Sequence, residues 1–279
     1  MPSTNGRLSQ SLLCVTVLLL AALLVSCDGK RPVIRLATTT SMHNSGLLDV
    51  LVPAFTAQSQ YDVQVFAVGS GQALELARRA DVDMVLVHAR EREDRFIEDG
   101  YGVDRRDIMW NEFVIVGPPN DPAGIRGMPT AVAAFRQIAA ARATFVSRGD
   151  DSGTHIRERQ VWATAAVDPD WEQYLSAGQA MGACLMMADE KRAYVLSDRG
   201  TWLAFSDRID SEVLVSGDAQ LRNPYGAILV NPDKHPAGGV EATGARVFLE
   251  FLTSASAQRL INEFRKNGEP LFHAASGSD

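Results

Sequence analysis

Ser147-Arg148-Gly149-Asp150-Asp151-Ser152-Gly153-Thr154-His155-Ile156-Arg157-Glu158 is the stretch on which the reading of this chain turns. The apolar run at residues 143–146 before it predicts a strand, and residues 156–166 after it predict a helix. The stretch is therefore a strand-to-helix loop, with Ser152, Gly153 and Thr154 where the helix begins. The first N–H groups of a helix lack intrahelical partners and carry the positive end of its dipole. Hydroxyls and a guanidinium at that spot make a seat for an anion. Read alone, the stretch is equally an ordinary capped helix with a surface arginine, because Ser and Asp cap helices everywhere. The Arg-Gly-Asp triplet also fits an integrin ligand, but nothing else in the chain supports that use.

The same strand–turn–helix unit recurs on the amino side. Residues 33–38 predict a strand that breaks into Thr38-Thr39-Thr40-Ser41. Beyond Asn44-Ser45-Gly46, Leu47, Val50, Leu51, Ala54 and Phe55 follow helical spacing, with Asn44 or Ser45 as the cap. Residues 63–68 lead into Gly69-Ser70-Gly71 and a helix, and residues 82–87 lead into His88-Ala89-Arg90-Glu91. A fourth apolar run, 113–118, ends in a Pro/Asn/Asp cluster that stops regular structure. Downstream, helices are expected at 131–141 and 171–187, the latter interrupted at Gly178 and Gly182. Strands are expected at 194–197, 212–215 and 225–230, and closing helices at 240–252 and 255–264. Leu271-Phe272 is expected to dock the tail. The alternation predicts an α/β fold with mainly parallel sheets, whose ligands sit beyond the carboxyl ends of the strands. Three such junctions, 38–45, 69–71 and 148–154, are rich in hydroxyls and glycine.

A chain of 279 residues suffices for one large or two medium domains. Its 46% hydrophobic and 22% charged content is that of a globular protein. A net charge of −7 with no basic block argues against nucleic acid, and means that an anion must be captured by a local site. Residues 1–26 read as a targeting segment, apolar from 12 to 25. It ends in Leu24-Val25-Ser26-Cys27, similar to a bacterial lipobox, which makes Cys27 the expected lipid attachment site and 27–30 a tether. Asp28 resembles an inner-membrane retention signal. With Cys14 removed and Cys27 acylated, only Cys184 remains, in an apolar setting that suits packing rather than nucleophilic attack.

Enzyme signatures are missing: no phosphate-binding G-x-x-x-x-G-K-[ST], no H-E-x-x-H or Cys/His cluster, and no G-x-S-x-G frame around Ser70. His43 and His155 flank candidate loops and keep a Ser/His/Asp hydrolase in view. A fully deprotonated tetrahedral oxyanion, by contrast, needs donors only. The hydroxyls of Thr39, Thr40, Ser41, Ser70, Ser152 and Thr154, together with Arg148, are all donors. Asp150 beside them suits a carboxylate that orients the guanidinium from behind. An Asp facing the ligand would instead accept a proton from an anion such as phosphate.

Thr38-Thr39-Thr40-Ser41, Val68-Gly69-Ser70-Gly71-Gln72-Ala73-Leu74, Val87-His88-Ala89-Arg90 and the 147–154 loop together resemble the tungstate-binding proteins of Tup-type ABC transporters. Ala177-Gly178-Gln179-Ala180-Met181-Gly182, Ser197-Asp198-Arg199-Gly200-Thr201-Trp202-Leu203-Ala204-Phe205, Asn223-Pro224-Tyr225-Gly226 and Gly268-Glu269-Pro270-Leu271-Phe272 extend the similarity over the mature chain. The resemblance implies a class II solute-binding fold of two α/β lobes closing on an anion: lobe one at 31–115 plus 226–279, lobe two at 116–225. It implies that Thr39, Thr40, Ser41, Ser70, Arg148 and Thr154 hold tungstate or molybdate, with Ser152 as a further donor. Arg199 stands behind them or in an ion pair with Asp198. It further implies no cofactor or free metal, no catalysis, an ABC permease as partner, and a monomer held outside the cytoplasm by Cys27. Ser70 departs from the Thr expected there, and Met42-His43-Asn44 from a Thr-rich run. The alternative is phosphate, since 148–154 is also similar to the Arg-Ser-Asp-Gly-Ser-Gly-Thr run of phosphate-binding proteins. The first loop, however, is not of their Gly-Ala-Gly type. A secreted hydrolase and a lipoprotein without ligand remain as readings from other classes.

Overall fold

The computed structural model describes residues 30–275, so the leader, Cys27 and the last four residues lie outside the described residues. In chain order come β1 (Val33–Thr39), α1 (Thr40–Ser45), α2 (Leu48–Thr56), β2 (Asp62–Val68), α3 (Ser70–Arg78), β3 (Met84–Val87), α4 (Arg90–Glu98) and β4 (Gly102–Gly117). Next are α5 (Ala131–Ala140), β5 (Phe145–Ser147), α6 (Gly153–Thr164), β6 (Tyr174–Ser176), α7 (Met181–Glu190), β7 (Tyr194–Asp198), α8 (Arg199–Phe205) and β8 (Glu212–Val215). The chain closes with β9 (Arg222–Val230), α9 (Ala242–Leu252), α10 (Ala255–Glu263), β10 (Arg265–Lys266), β11 (Glu269–Pro270) and β12 (His273–Ala274).

These elements form two α/β lobes. In the first, β1 is buried along almost its whole length, as a strand covered on both faces must be, and lies parallel between β2 and β3. The long strand β9 then runs antiparallel to β3 and to β4. Strand β4 leaves this sheet after Glu112, which pairs with Arg222, and from Phe113 pairs with β7 of the second lobe. There β5 lies parallel to both β6 and β7, and β8 pairs antiparallel with β4. Each lobe thus keeps a parallel βα half, and antiparallel pairs enter through the two long strands.

Both sheets are covered on both sides. Phe55 of α2 meets Phe248 of α9 at 4.7 Å between ring centroids over one face of the first sheet, with Leu36, Leu249 and Ile261 buried around them. Ala73, Leu74, Phe96 and Ile228 fill the other face. In the second lobe Phe135, Phe145, Trp162 and Trp171 form an aromatic core, while Met181, Cys184 and Leu185 pack against Val146 and Val195. Cys184 is fully buried, and burial pushes its thiol pKa up, consistent with packing. Leu271 and Phe272 are buried, and β12 pairs with β4 at Trp110 and Met109.

Two local expectations fail. The segment from Trp171 is not one helix: the Trp171 indole donates to the Ala143 carbonyl at 2.9 Å and Tyr174 stacks on Phe145. Those tertiary contacts draw residues 174–176 into β6, and the helix starts only at Met181. Nor do Asn44 and Ser45 cap a helix. Both belong to the short helix α1, which Thr39 caps by accepting the Met42 N–H.

Candidate functional site

Because β1, β2 and β3 are parallel neighbours, their carboxyl ends put Thr40, Ser70 and His88 on one edge of the first lobe. Likewise β5, β6 and β7 put Arg148, Ala177 and Asp198 on one edge of the second. The edges face each other: a Cβ added at Gly153, the first residue of α6, would sit 3.5 Å from Cε1 of His88. The Tyr225 phenol, whose ring lies against that of His88, is hydrogen-bonded to Ser41.

The hydroxyl-bearing residues expected at the site divide by what their oxygens already do. Thr39 is buried; its hydroxyl caps α1 and lies 3.1 Å from that of Ser41. Ser152 caps α6 through the His155 N–H and is also hydrogen-bonded to Asp150. Thr40, Ser70 and Thr154 are different. Each lies in the first two residues of a helix, and none of their hydroxyls bonds to protein among the described residues, although Thr154 is only 5% exposed. Open hydroxyls beside the free N–H groups of three helix starts are suited to an external acceptor.

Arg148 follows β5 directly. Its Nε donates to Oδ2 of Asp150 at 2.9 Å, and Oδ1 of Asp150 accepts the Ser152 N–H at 3.1 Å. These donors hold the Asp150 carboxyl below its ordinary range despite burial that opposes them. Asp151 points outward, its side chain 80% exposed beside Arg159. Both Asp150 oxygens thus accept bonds from within the loop, and Asp151 lies against Arg159 and His155. Beneath the loop, Glu158 accepts the Arg148 N–H at 3.3 Å and the Tyr174 hydroxyl at 2.7 Å. The loop also bonds to the chain after β6 through Ala177 and Gly178 N–H groups. Gly149 has φ +66°, and a Cβ there would collide with the Ser176 hydroxyl. Gly149→Ala is accordingly expected to lower stability by about 1–3 kcal/mol, the usual strain of such a conformation, and to misplace Arg148. Denaturant unfolding together with an anion titration checks both; an unchanged midpoint would refute the strain.

Arg199 is committed elsewhere: its guanidinium pairs with Glu112 at 2.5 Å, while Asp198 caps α8 by accepting from Thr201. The ion pair expected with Asp198 is made with Glu112 instead, because Glu112 lies on β4 where the lobes join. Two residues that the sequence reading left without a role reach the edges. Arg92 of α4 lies over the start of α3, where a Cβ on Gly71 would come within 2.8 Å of Nη1. His88 stands between the lobes, opposite Gly153. Its signal was its position directly after β3, homologous in the repeat to the other two loops.

A cleft of about 180 Å³ beside Ser41 is lined by Asn111, Asp198, Thr201, Tyr225 and Lys266 among others. A wider depression of about 670 Å³ lies at the amino ends of β5, β6 and β7, away from every donor described above. The helix starts expected to hold the ligand lie at the opposite edge. Among the described residues no three His, Cys, Asp or Glu side chains gather as a metal site.

Residues 28–256 match the PBP superfamily domain. The tungstate-binding protein TupA of Peptoclostridium acidaminophilum is 44% identical over 241 residues, 85% of this chain and 84% of that protein. The solved tungstate-binding TupA of Desulfovibrio alaskensis G20 superposes with a TM-score of 0.83 at 40% identity, covering 87% of this chain and 98% of that one. The structure of the tungstate ABC transporter protein from Geobacter sulfurreducens gives 0.75 at 47% identity, covering 83% and 98%. Two facing edges of helix starts are thus found on a shared fold at high identity, and the chain belongs to the TupA family of tungstate-binding proteins within the PBP superfamily.

Proposed function

We propose that this protein captures tungstate outside the cytoplasm and delivers it to an ABC permease, with molybdate as the nearest competitor. The anion is taken to sit between the lobes, held by Thr40, Ser70, Arg148 and Thr154, with Thr39, Ser41 and Ser152 shaping the loops and Asp150 orienting the arginine. The supporting observation is the donor-rich edge: open hydroxyls at three helix starts, with both nearby aspartates turned to other partners. Phosphate is less well served, because Asp150, the carboxylate beside Arg148, already accepts from Arg148 and from the Ser152 N–H. The relatives named above are tungstate-binding proteins, which supports the same ligand and a transport role without catalysis. The lobes are taken as 31–115 with 226–279 and 116–225, since β4 changes sheet near that boundary. Anchoring through Cys27 and a monomeric state complete the proposal.

Thermal unfolding with tungstate, molybdate, sulfate and phosphate in turn tests the ligand. At about 100 times the dissociation constant, a ligand of the native state adds about 2.7 kcal/mol. That corresponds to a rise of several degrees for a protein of this size. The expected result is a large shift with tungstate and none with phosphate. A shift with phosphate alone would transfer the site to that anion.

A further inference from the structure

His88 is a titratable group held between the lobes by partners that fix its hydrogen. Its ring packs against Tyr225 with centroids 4.7 Å apart and planes tilted by 31°, and Nδ1 lies 3.0 Å from Oδ1 of Asn223. The Asn223 amide nitrogen donates to Oδ1 of Asn111 at 2.8 Å, so the Asn223 oxygen is the acceptor left for His88. In the neutral ring Nδ1 therefore carries the hydrogen and Nε2 a bare lone pair. No group among the described residues bonds Nε2; the Cε1–Nδ1 edge of the ring is the one nearest Gly153 at the head of α6, at 3.5 and 3.8 Å from a Cβ placed there.

The charges around this ring are few. Asp198 at the head of α8 favours the imidazolium, but its oxygens accept from Thr201. Tyr225 on β9 is a buried neutral phenol. On the same loop as His88, Glu93 of α4 is engaged by the Ala89 N–H and by Arg105. Across the cleft stand the positive end of α6 and the pair Arg148–Asp150, whose charges offset each other; Arg157, one turn on, donates to the Arg222 carbonyl. Burial holds the free imidazole below its ordinary pKa, hence neutral. A dianion entering this seat would meet an arginine already matched by an aspartate, Arg92 over the start of α3, and, at Nε2, a lone pair that repels its oxygens.

We propose that His88 is a further contact of the bound oxyanion, and that one proton from solvent adds to Nε2 as the dianion enters, so that the new N–H donates to an anion oxygen. This rests on the cleft being the tungstate seat. No other bond forms or breaks. Because the bound state holds the proton more tightly, affinity is greatest at low pH. It declines as pH rises from the free-state to the bound-state value, by at most about tenfold per pH unit.

Calorimetric titration of the wild-type protein with sodium tungstate tests this, in two buffers of different ionisation enthalpy over roughly pH 7–8.5. The expected result is uptake of a substantial fraction of a proton per tungstate, growing as pH falls and absent in His88→Gln, whose amide still donates. Imidazole ¹⁵N NMR of the wild type reads the same event without a variant: the His88 Nε2 signal should move from the unprotonated to the protonated position on adding tungstate. Tight binding with no proton uptake, or uptake that persists in His88→Gln, overturns the inference alone. No tungstate binding by the wild type overturns the proposed function, and this inference with it.

Discussion

Arg148→Ala is expected to weaken tungstate binding by about two to three orders of magnitude. Truncating one partner of a desolvated charge pair costs about 2–5 kcal/mol, each 1.4 kcal/mol being tenfold. The effect should exceed loss of one cationic contact, because the variant leaves Asp150 facing the anion without its guanidinium. Two further variants separate these contributions. Asp150→Asn in the Arg148→Ala background should recover part of the loss by removing the repulsive charge. Arg148→Lys should fall between wild type and alanine, since an ammonium keeps the charge but cannot hold Asp150 and the ligand with one rigid fork. The stability of the unliganded protein should change little, as a partly exposed ion pair contributes at most about 1 kcal/mol. Wild-type affinity in Arg148→Ala would place the arginine outside the site.

Arg148, Thr40, Ser70 and Thr154 were legible because local sequence decides where a helix begins, and the first residues of a helix have their N–H groups free. The short strand Glu212–Val215 was legible for a similar reason, as a compact apolar run between turn residues. Strand β4 was not. Its first half carries Asp104, Arg105, Arg106 and Asp107, which offer no apolar run to read, yet these side chains are matched in ion pairs with one another and with Glu93. Strand direction was equally hidden, because the apolar pattern of β9 is the same whether its neighbour runs with it or against it. The part of the candidate site that escaped is the part made by distant partners. His88 gains its meaning from Asn223, 135 positions away. Arg92 gains it from Gly71. Neither pairing has a local signature.

Glu158 belongs to that hidden group and carries the second large expectation. It is 1% exposed, one turn beyond Thr154 on α6, and its carboxyl ties three elements together: the Tyr174 hydroxyl of β6, the Arg148 N–H after β5, and Ser147. Glu158→Ala leaves buried donors unpaired at about 1–3 kcal/mol each, so a loss of about 3 kcal/mol is expected. At this chain length that lowers the melting temperature by roughly 5–10 °C. Tungstate affinity should fall as well, because the arginine loop loses its support. Glu158→Gln keeps the volume and isolates the charge. Burial raises the Glu158 pKa above its ordinary value against the donors that lower it. The folded state therefore holds that proton more tightly than the unfolded chain. The resulting stabilisation is fully present below the unfolded value and is lost as pH rises through the raised folded value. Wild type should thus lose stability relative to Glu158→Gln across that acid interval, and the difference should be constant above it. Urea unfolding of both proteins over a pH series reads this directly. A difference that never changes with pH would mean that the carboxylate is as well satisfied inside the protein as in water, and that its hydrogen bonds to Arg148 and Tyr174 outweigh its burial.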